Sequence, residues 1–154
     1  MRRANRHHRK ENLHNVDLQI MSSVTLEYDD RHRRRIRMID DMGENFLLDL
    51  AHAAYLQDGD LLEFAEGQAI LVKAAKEEVL EVTCEDLVQL VRVAWHVGNR
   101  HTPVEVLDQG KLRLRYDHVL HHMIEGLGAS CEKIIAPFSP EPGAYSGGGH
   151  DHAH

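Results

Sequence analysis

Cysteine and aromatic residues are scarce in this chain of 154 residues. The two cysteines, Cys84 and Cys131, are far apart in sequence and form no Cys-x-x-Cys motif, which argues against a paired-cysteine zinc site. We therefore predict two free thiols in a reducing compartment. Aromatic residues make up only 5% of the chain, but 42% of its residues are hydrophobic. That share is enough for a globular core without disulfides.

Long hydrophobic runs are absent as well. No apolar run reaches about 18 residues, the length that indicates a transmembrane helix. No apolar segment follows the basic N-terminus, as one would in a secretory signal. The sequence therefore predicts a cytoplasmic protein that does not enter a membrane.

The common catalytic motifs are also missing. The sequence contains no Gly-x-Ser-x-Gly, no phosphate-binding loop and no His-Glu-x-x-His. Its acidic residues lie on ordinary polar faces, and no nucleophile is grouped with a base and an orienting residue. We therefore do not expect this protein to be an enzyme.

Positive charge is in deficit. The chain has 18 lysines and arginines against 25 acidic residues, a formal net charge of −7 with histidine neutral. This balance argues against general nucleic-acid binding. The basic residues are nevertheless clustered, because the first ten residues contain no acid and residues 31–35 read Arg-His-Arg-Arg-Arg. We predict that each basic run is a solvated tail or loop.

The first half of the chain has the spacing of a small all-β domain. Val24, Leu26 and Tyr28 alternate with polar or small residues, and the pair Asp58-Gly59 is a turn signal. Short apolar segments recur about ten residues apart, which is typical of a sandwich or barrel. We predict an N-terminal β domain over residues 16–79, preceded by a basic extension over residues 1–15.

The second half combines strands with two amphipathic helices. The first helix has Gly98 as a natural stop, and Gly126 and Gly128 close the second. The apolar residues at helical spacing are Leu87, Leu90, Val91 and Ala94 in the first helix, and Val119, Leu120, Met123, Ile124 and Leu127 in the second. With the intervening strands the order is β-α-β-β-α-β, which predicts a ferredoxin-like domain over residues 80–138 and an α+β chain.

Residues 139–154 are predicted to form a flexible tail that contains histidine. Prolines and the run Gly147-Gly148-Gly149 do not favour a packed element. The tail ends in three alternating histidines, His150, His152 and His154. Imidazole suits nickel, zinc or copper. Purification tags are usually uninterrupted histidine runs and a solvating tail needs no imidazole, so metal capture is the favoured interpretation.

Two further groups of histidines are candidate ligands. His101 follows the first helix in a connection stiffened by Pro103, and His96 precedes it on the helix itself. Either one, taken alone, is more often structural than a ligand. The second group is His118, His121 and His122, which share one helix face. These three could bind metal or form a polar outer face.

Four stretches of the sequence, in order, resemble the UreE family of urease accessory proteins. The most distinctive is His96-Val97-Gly98-Asn99-Arg100-His101 followed by Pro103. The others are Val24-Thr25-Leu26 with residues 29–35, residues 46–50 with Asp58-Gly59-Asp60, and residues 115–120 with Pro137-Phe138, Pro140-Glu141 and Gly143-Ala144-Tyr145. The resemblance covers residues 16–145.

This resemblance implies a β domain followed by a ferredoxin-like metal-binding domain. It also implies a homodimer that carries nickel across its two-fold axis through His101 and passes it to the urease apoprotein together with the accessory GTPase. Some relatives have two further ligand histidines near the second helix. His118 matches one of them, but Tyr116 stands at the other position. His96 matches the first histidine of the distinctive motif and is a secondary candidate.

The sequence therefore predicts a nickel-binding metallochaperone for urease assembly. Zinc and copper suit the same ligands, because ligand type alone does not select the metal. One alternative is a nickel or zinc buffer without a delivery partner. Another is an RNA-binding module, although the predicted sheet lacks the interleaved aromatic residues that stack on bases.

Overall fold

The computed structural model describes residues 1–65 and 67–143. The chain divides into two compact units, Met1–Lys76 and Glu77–His154, called unit 1 and unit 2 below. This division falls between residues 76 and 77, whereas the sequence pattern predicts it between 79 and 80. The difference arises because the first strand of the second sheet begins at Lys76, before the apolar alternation becomes evident.

Unit 1 is a β domain, as predicted. Its strands are joined into one sheet in the order β2-β6-β5-β1-β4-β3. In the described residues they are β1 (Arg2–His8), β2 (Gln19–Leu26), β3 (His32–Ile39), β4 (Asn45–Tyr55), β5 (Leu61–Phe64) and β6 (Gln68–Ala74). Alternate residues of β4, namely Phe46, Leu48 and Leu50, are buried in the core.

The N-terminal residues form a strand, which corrects the prediction of a basic extension over residues 1–15. β1 pairs in parallel with β4, where Arg2 lies opposite Phe46, and antiparallel with β5. Ala4 is completely buried, and the Arg2 guanidinium donates to the Asp40 carboxylate at 2.8 Å. The basic run can join the sheet because a strand buries only alternate side chains, so its arginines reach acidic partners or solvent.

The second basic run also belongs to ordered structure and is not a solvated loop. Arg31 is buried, and its guanidinium lies 5.8 Å from the centroid of the Tyr28 ring. A 3-10 turn at Tyr28–Asp30 precedes it, and β3 begins at His32. The remaining arginines of the run are therefore held on a strand of the sheet.

Unit 2 has the predicted β-α-β-β-α-β order. Its described elements are β7 (Lys76–Thr83), α1 (Leu87–Asn99), β8 (Glu105–Val106), β9 (Lys111–Arg115), α2 (His118–Gly126) and β10 (Ser130–Pro137). The strand order β10-β7-β9-β8 is that of a ferredoxin-like sheet, in which the first and last strands along the chain pair with each other. The α+β prediction is confirmed.

The first helix buries different residues from those that its apolar spacing indicated, whereas the residues buried in the second helix belong to the predicted face. In α1 the buried residues are Val93 and Val97, while Leu87 and Val91 are 72% and 59% exposed. In α2 the buried residues are Leu120 and Ile124. Because apolar residues occupy most positions of α1, its sequence does not single out one inward face. The second apolar face of α1 is open to solvent in a single chain.

The chain after β10 is fixed at its beginning, which corrects the predicted start of the tail at residue 139. Phe138 is completely buried. The backbone N–H of Ser139 donates to Glu105, and that of Glu141 donates to the Val104 carbonyl at 2.7 Å. The rest of the predicted tail, residues 144–154, lies outside the described residues.

Neither α1 nor α2 combines the length and the apolar character of a membrane-crossing helix, and this holds for every helix in the described part of the chain.

Candidate metal centre

His101 lies at the end of α1 in a backbone conformation that is unusual for histidine. The backbone N–H of His101 donates to the Gly98 carbonyl, and that of Thr102 donates to the Val97 carbonyl. These two bonds form a Schellman motif, in which the residue after the C-cap Arg100 adopts the left-handed conformation. His101 has a φ of 56° and occupies this position, where glycine is the usual residue.

The helix therefore continues past Gly98, its predicted stop, to Asn99, and the left-handed residue is His101, three positions after Gly98. His101 is itself the left-handed residue at which the backbone turns away from the helix axis. A residue with a β-carbon costs roughly 1–2 kcal/mol in the left-handed region. The strained residue places an exposed imidazole directly beyond the last turn of the helix. Such local strain is found most often where a side chain has a function.

His96 occupies a different environment from His101. It lies within α1, is partly buried, and packs edge-on against the Trp95 ring with 4.9 Å between the centroids. This contact with Trp95 indicates a packing role for the His96 side chain. Its assignment as a secondary ligand stays a prediction.

His118 is the first residue of α2 and is exposed. The preceding Asp117 caps the helix by accepting from the backbone N–H groups of Val119 and Leu120 at 2.8 and 3.0 Å. The bond from Leu120 is the largest influence on the pKa of Asp117, which is held below its usual value; His118 and Arg100 also lower it. Since Arg100 precedes His101, the end of α1 and the beginning of α2 lie within electrostatic range of one another.

Tyr116 stands where some members of the resembled family have a second ligand histidine, and its ring is engaged in packing. The Lys133 ammonium lies 4.3 Å from the ring centroid, and the His121 ring meets it edge-on at 5.9 Å. A phenol in these contacts does not replace an imidazole as a ligand for nickel. His118 therefore has no histidine partner at residue 116.

The cluster on α2 is arranged as a polar face. The His121 Nε2 atom lies 2.7 Å from a carboxylate oxygen of Glu125, an i, i+4 pair on the same helix. His122 is exposed. Among the residues that the structure describes, no group of three or more histidine, cysteine or acidic side chains is placed to hold a metal ion. This observation favours the polar-face interpretation of His118, His121 and His122.

The two cysteines are free, as predicted, and partly buried. Burial raises the pKa of the Cys131 thiol to about 11, and nearby Glu125 and Cys84 act in the same direction. Burial also raises the pKa of Cys84, with a further contribution from Asp86. Thiols with raised pKa values stay protonated near neutral pH, so a metal ion would have to displace a proton from each of them. A neutral imidazole ligates without losing a proton and is therefore the better candidate for a metal centre in unit 2.

One feature near the candidate ligands escaped the sequence analysis. The apolar residues Leu87, Val88, Val91 and Trp95 are 59–72% exposed along one side of α1. We call these four residues the apolar face of α1. An exposed tryptophan with three aliphatic neighbours is typical of an interaction surface. The excess of apolar residues in α1 was the available signal, because a helix packed on one side only needs a single apolar stripe.

Among the candidate ligands in the described part of the chain, His101 is the one exposed at a strained helix end, and His118 is exposed at the start of the second helix. The remaining predicted ligands, His150, His152 and His154, lie outside the described residues. One or two imidazoles per chain form an incomplete coordination shell, so this geometry requires further ligands from a second copy or from another segment.

Two family models match the chain, one for each unit. The N-terminal domain of the UreE urease accessory protein matches residues 4–75. The C-terminal domain of the UreE urease accessory protein matches residues 77–154. The first match includes most of β1, in agreement with the place of that strand in the sheet.

Several curated relatives carry the name urease accessory protein UreE. The chain is 50% identical over 129 residues to that of Beijerinckia indica subsp. indica, which covers 84% of the chain and 74% of the relative. It is 48% identical over 134 residues to that of Rhodopseudomonas palustris, covering 85% and 63%, and 46% identical over 132 residues to that of Ruegeria pomeroyi, covering 85% and 86%. The aligned region is thus less than two thirds of some relatives.

Two observations establish the family. Both domain models match in the expected order, and the sequence is close to 50% identical to that of a relative over most of the chain. The residues of the distinctive motif form the end of α1 and its reversing connection. The chain belongs to the UreE family of urease accessory proteins.

Proposed function

We propose that this protein is a nickel carrier that delivers its ion to apo-urease during assembly of the urease active site. The observation that carries the proposal is the exposed His101 imidazole at the Schellman motif of α1, in a chain of the UreE family. An imidazole held by a rigid backbone reversal is pre-oriented to bind a metal ion that approaches from outside the chain. Nickel is the cargo of this protein, and catalysis is not part of the proposed role.

A homodimer completes the proposed site. One imidazole is a weak metal site, but two copies related by a two-fold axis supply two ligands. The apolar face of α1 is the proposed contact, because Trp95 and its aliphatic neighbours lie on the same helix that ends before His101. Association through this face removes exposed apolar area from water and can bring both copies of His101 close to one axis.

The remaining histidines are proposed as auxiliary ligands. His118, His96 and the terminal His150, His152 and His154 can complete or reload the coordination shell. An open shell of borderline imidazole ligands suits a carrier, because the ion must leave again when it is transferred. Zinc and copper are expected to compete with nickel for the same nitrogen atoms, so partner proteins and metal supply determine which ion is delivered.

The proposed partners follow from the family. They are the apo-urease complex, the accessory GTPase and the other accessory proteins of urease maturation, and the proposed location is the cytoplasm. Nucleic acid and membrane are not among the proposed partners.

The test is urease activation at limiting nickel with the full-length chain. Apo-urease with its other accessory proteins should gain activity on addition of the nickel-loaded protein, and His101→Ala should abolish most of that gain. His122→Ala, which removes an exposed histidine from α2, is the matched control and should leave activation unchanged. Full activation by a folded His101→Ala variant would contradict the proposal. Nickel binding without any activation would instead identify a nickel or zinc buffer.

A further inference from the structure

The strands β3, β4 and β1 of unit 1 display an exposed arginine surface that the nickel proposal does not use. The core-facing residues Ile36 and Met38 of β3 leave Arg35 and Arg37 on the opposite side of the sheet. In register, Arg37 lies opposite Leu47, and Leu47 lies opposite Arg3 of β1. The three arginines therefore lie on the solvent side of the sheet, on the two strands β1 and β3 that flank β4.

The positive charge of this surface is only partly neutralised. Asp49 of β4 pairs with both Arg3 and Arg35, and its carboxylate is 11% exposed, whereas both arginine side chains are 64% exposed. Arg37 makes no ion pair with any residue in ranges 1–65 and 67–143 and is exposed. Three guanidinium groups therefore face one carboxylate, in a chain whose net charge is −7. A positive surface on a negative protein selects partners of opposite charge.

An aromatic column borders the arginines at the beginning of β3. The rings of His32 and Tyr55 stack at 4.1 Å with an interplanar angle of 10°, and Tyr55 stacks on Tyr28 at 5.9 Å. Tyr55 is 43% exposed and His32 is exposed. Ile36 and Ala54 pack against the core, so their chain neighbours Arg35 and Tyr55 both lie on the opposite side of the sheet. His32 pairs with Tyr55 and stacks on it, so the column is on that side too. Tyrosine and arginine are enriched among the residues that contribute most to protein interfaces.

We propose that this surface binds an extended acidic segment of a partner protein. The arginine surface comprises Arg3, Arg35, Arg37 and Asp49, bordered by His32 and Tyr55. Arg35 and Arg37 are two residues apart on a strand, a distance of roughly 7 Å, which matches the spacing of alternate side chains in an extended acidic peptide. His32 and Tyr55 provide a flat platform for an aromatic or proline side chain next to the acidic residues.

A protein partner fits these features better than RNA. Asp49 lies between Arg3 and Arg35 and repels any anion beside it. A phosphate backbone carries a charge at every nucleotide, whereas an acidic peptide can place an uncharged residue next to Asp49. Carboxylates of a partner can each form a bidentate pair with one guanidinium and avoid Asp49. The arginine surface belongs to unit 1 alone, so peptide binding there does not depend on nickel binding by unit 2.

The test measures binding of short fluorescent peptides to the full-length protein by anisotropy. The acidic probe alternates glutamate with threonine and ends in tyrosine, and the neutral probe has glutamine in place of glutamate. The acidic probe should bind, and its affinity should fall as ionic strength rises from low to physiological. The neutral probe should not bind. Equal binding of both probes, or tighter binding of a short RNA than of the acidic peptide, would overturn the proposal.

Charge reversals locate the binding surface. Arg37→Glu should weaken binding of the acidic probe by about tenfold or more. Lys73→Glu makes the same change of charge on β6, which is four strands away from β3 in the sheet order, and should have little effect. Arg37→Gln provides a milder variant with the same expected direction, and circular dichroism checks the fold of each. Equal losses for the two charge reversals would mean that only net charge matters and would overturn the assignment.

The aromatic platform has its own variant. His32→Ala should reduce affinity for the probe that ends in tyrosine, and it should leave affinity for a tyrosine-free acidic peptide unchanged. Unchanged affinity for both peptides would remove His32 from the proposed surface.

Discussion

At the scale of single residues, His101 combines a structural cost with an exposed functional group. Its φ of 56° belongs to the region that glycine adopts freely, and the Schellman bonds around it hold the backbone there. Glycine at this position would satisfy the same hydrogen bonds without strain. The imidazole is therefore not required by the fold, which is why the fold and the metal site can be separated by substitution.

The first prediction separates stability from nickel binding at residue 101. His101→Gly should be more stable than His101→Ala by about 1 kcal/mol, because alanine keeps the strained β-carbon and glycine removes it. Both variants should lose nickel delivery equally, since both lack the imidazole. Urea unfolding measures the first quantity and urease activation the second. His122→Gly is the control, and it should destabilise the protein because glycine is unfavourable inside a helix.

A result in which His101→Gly is less stable than His101→Ala would show that the left-handed conformation is not kept in solution. The position of His101 beyond the helix could be predicted from sequence, and its exposure is confirmed. Its backbone conformation could not be predicted, because Gly98 is a stronger helix-stop signal than a histidine three residues later.

At the scale of secondary-structure elements, α1 has one apolar face in the core of unit 2 and another in solvent. Val93 and Val97 are completely buried, while Trp95 is 62% exposed. The order of elements could be predicted because strands and helices differ in hydrophobic period. The sequence could not predict which face of α1 is buried in a single chain. Both faces are apolar, and periodicity does not distinguish a core from a subunit contact.

The second prediction tests the apolar face as the contact of the proposed homodimer. Val91→Glu should shift the protein from dimer to monomer in size-exclusion chromatography with light scattering, because a charge at this position would have to be buried without a partner. Val106→Glu is a closely matched control, since Val91 and Val106 are both 59% exposed in unit 2 and Val106 lies on β8. A Val91→Glu variant that stays dimeric would exclude this face as the contact.

The basic N-terminus shows a second limit of sequence reasoning at this scale. Five basic residues among ten predict a solvated tail, yet β1 is held in the sheet by Ala4 in the core and by the acidic partners Asp40 and Asp49. Burial alone would raise the pKa of Asp40, but the hydrogen bond from Arg2, with others from Ser22 and from the backbone, holds that pKa well below its usual range. These partners are distant in sequence, so no local pattern reveals them.

The third prediction concerns the pH dependence of this contact. Because the pKa of Asp40 is lower in the folded state, its contribution to stability is fully present above the unfolded value of about 4 and declines as pH falls toward the folded value. Asp40→Asn should lower the free energy of unfolding by roughly 1–3 kcal/mol at neutral pH. The difference from the unmodified protein should shrink below about pH 4.

Urea unfolding at several pH values measures this difference. Glu44→Gln is the control, because Glu44 pairs with the same Arg2 at 3.4 Å but is 68% exposed. Its effect should stay within about 0.5 kcal/mol. A constant difference between Asp40→Asn and the unmodified protein across the pH range would exclude the charged hydrogen bonds as its cause.

At the scale of the whole molecule, the proposed activities are divided between the two units. Unit 2 provides His101 and the apolar face of α1, and unit 1 provides the arginine surface. The terminal histidines form a third group, which lies outside the described residues and is known from sequence alone. If this group binds nickel independently of His101, the two sets of ligands should contribute separately to the number of ions bound.

The last prediction tests that independence. A chain ending at Gly143 should bind fewer nickel ions per dimer than the full-length chain, measured by calorimetry, because it lacks the three imidazoles of His150, His152 and His154. The core site should remain in the shortened chain and disappear when His101→Ala is added. Replacing only the three histidines by alanine in the full-length chain controls for the loss of length and should reproduce the lower stoichiometry. If the shortened chain binds as many ions as the full-length chain, the terminal histidines are not ligands, and all bound nickel must be held by residues before Ala144.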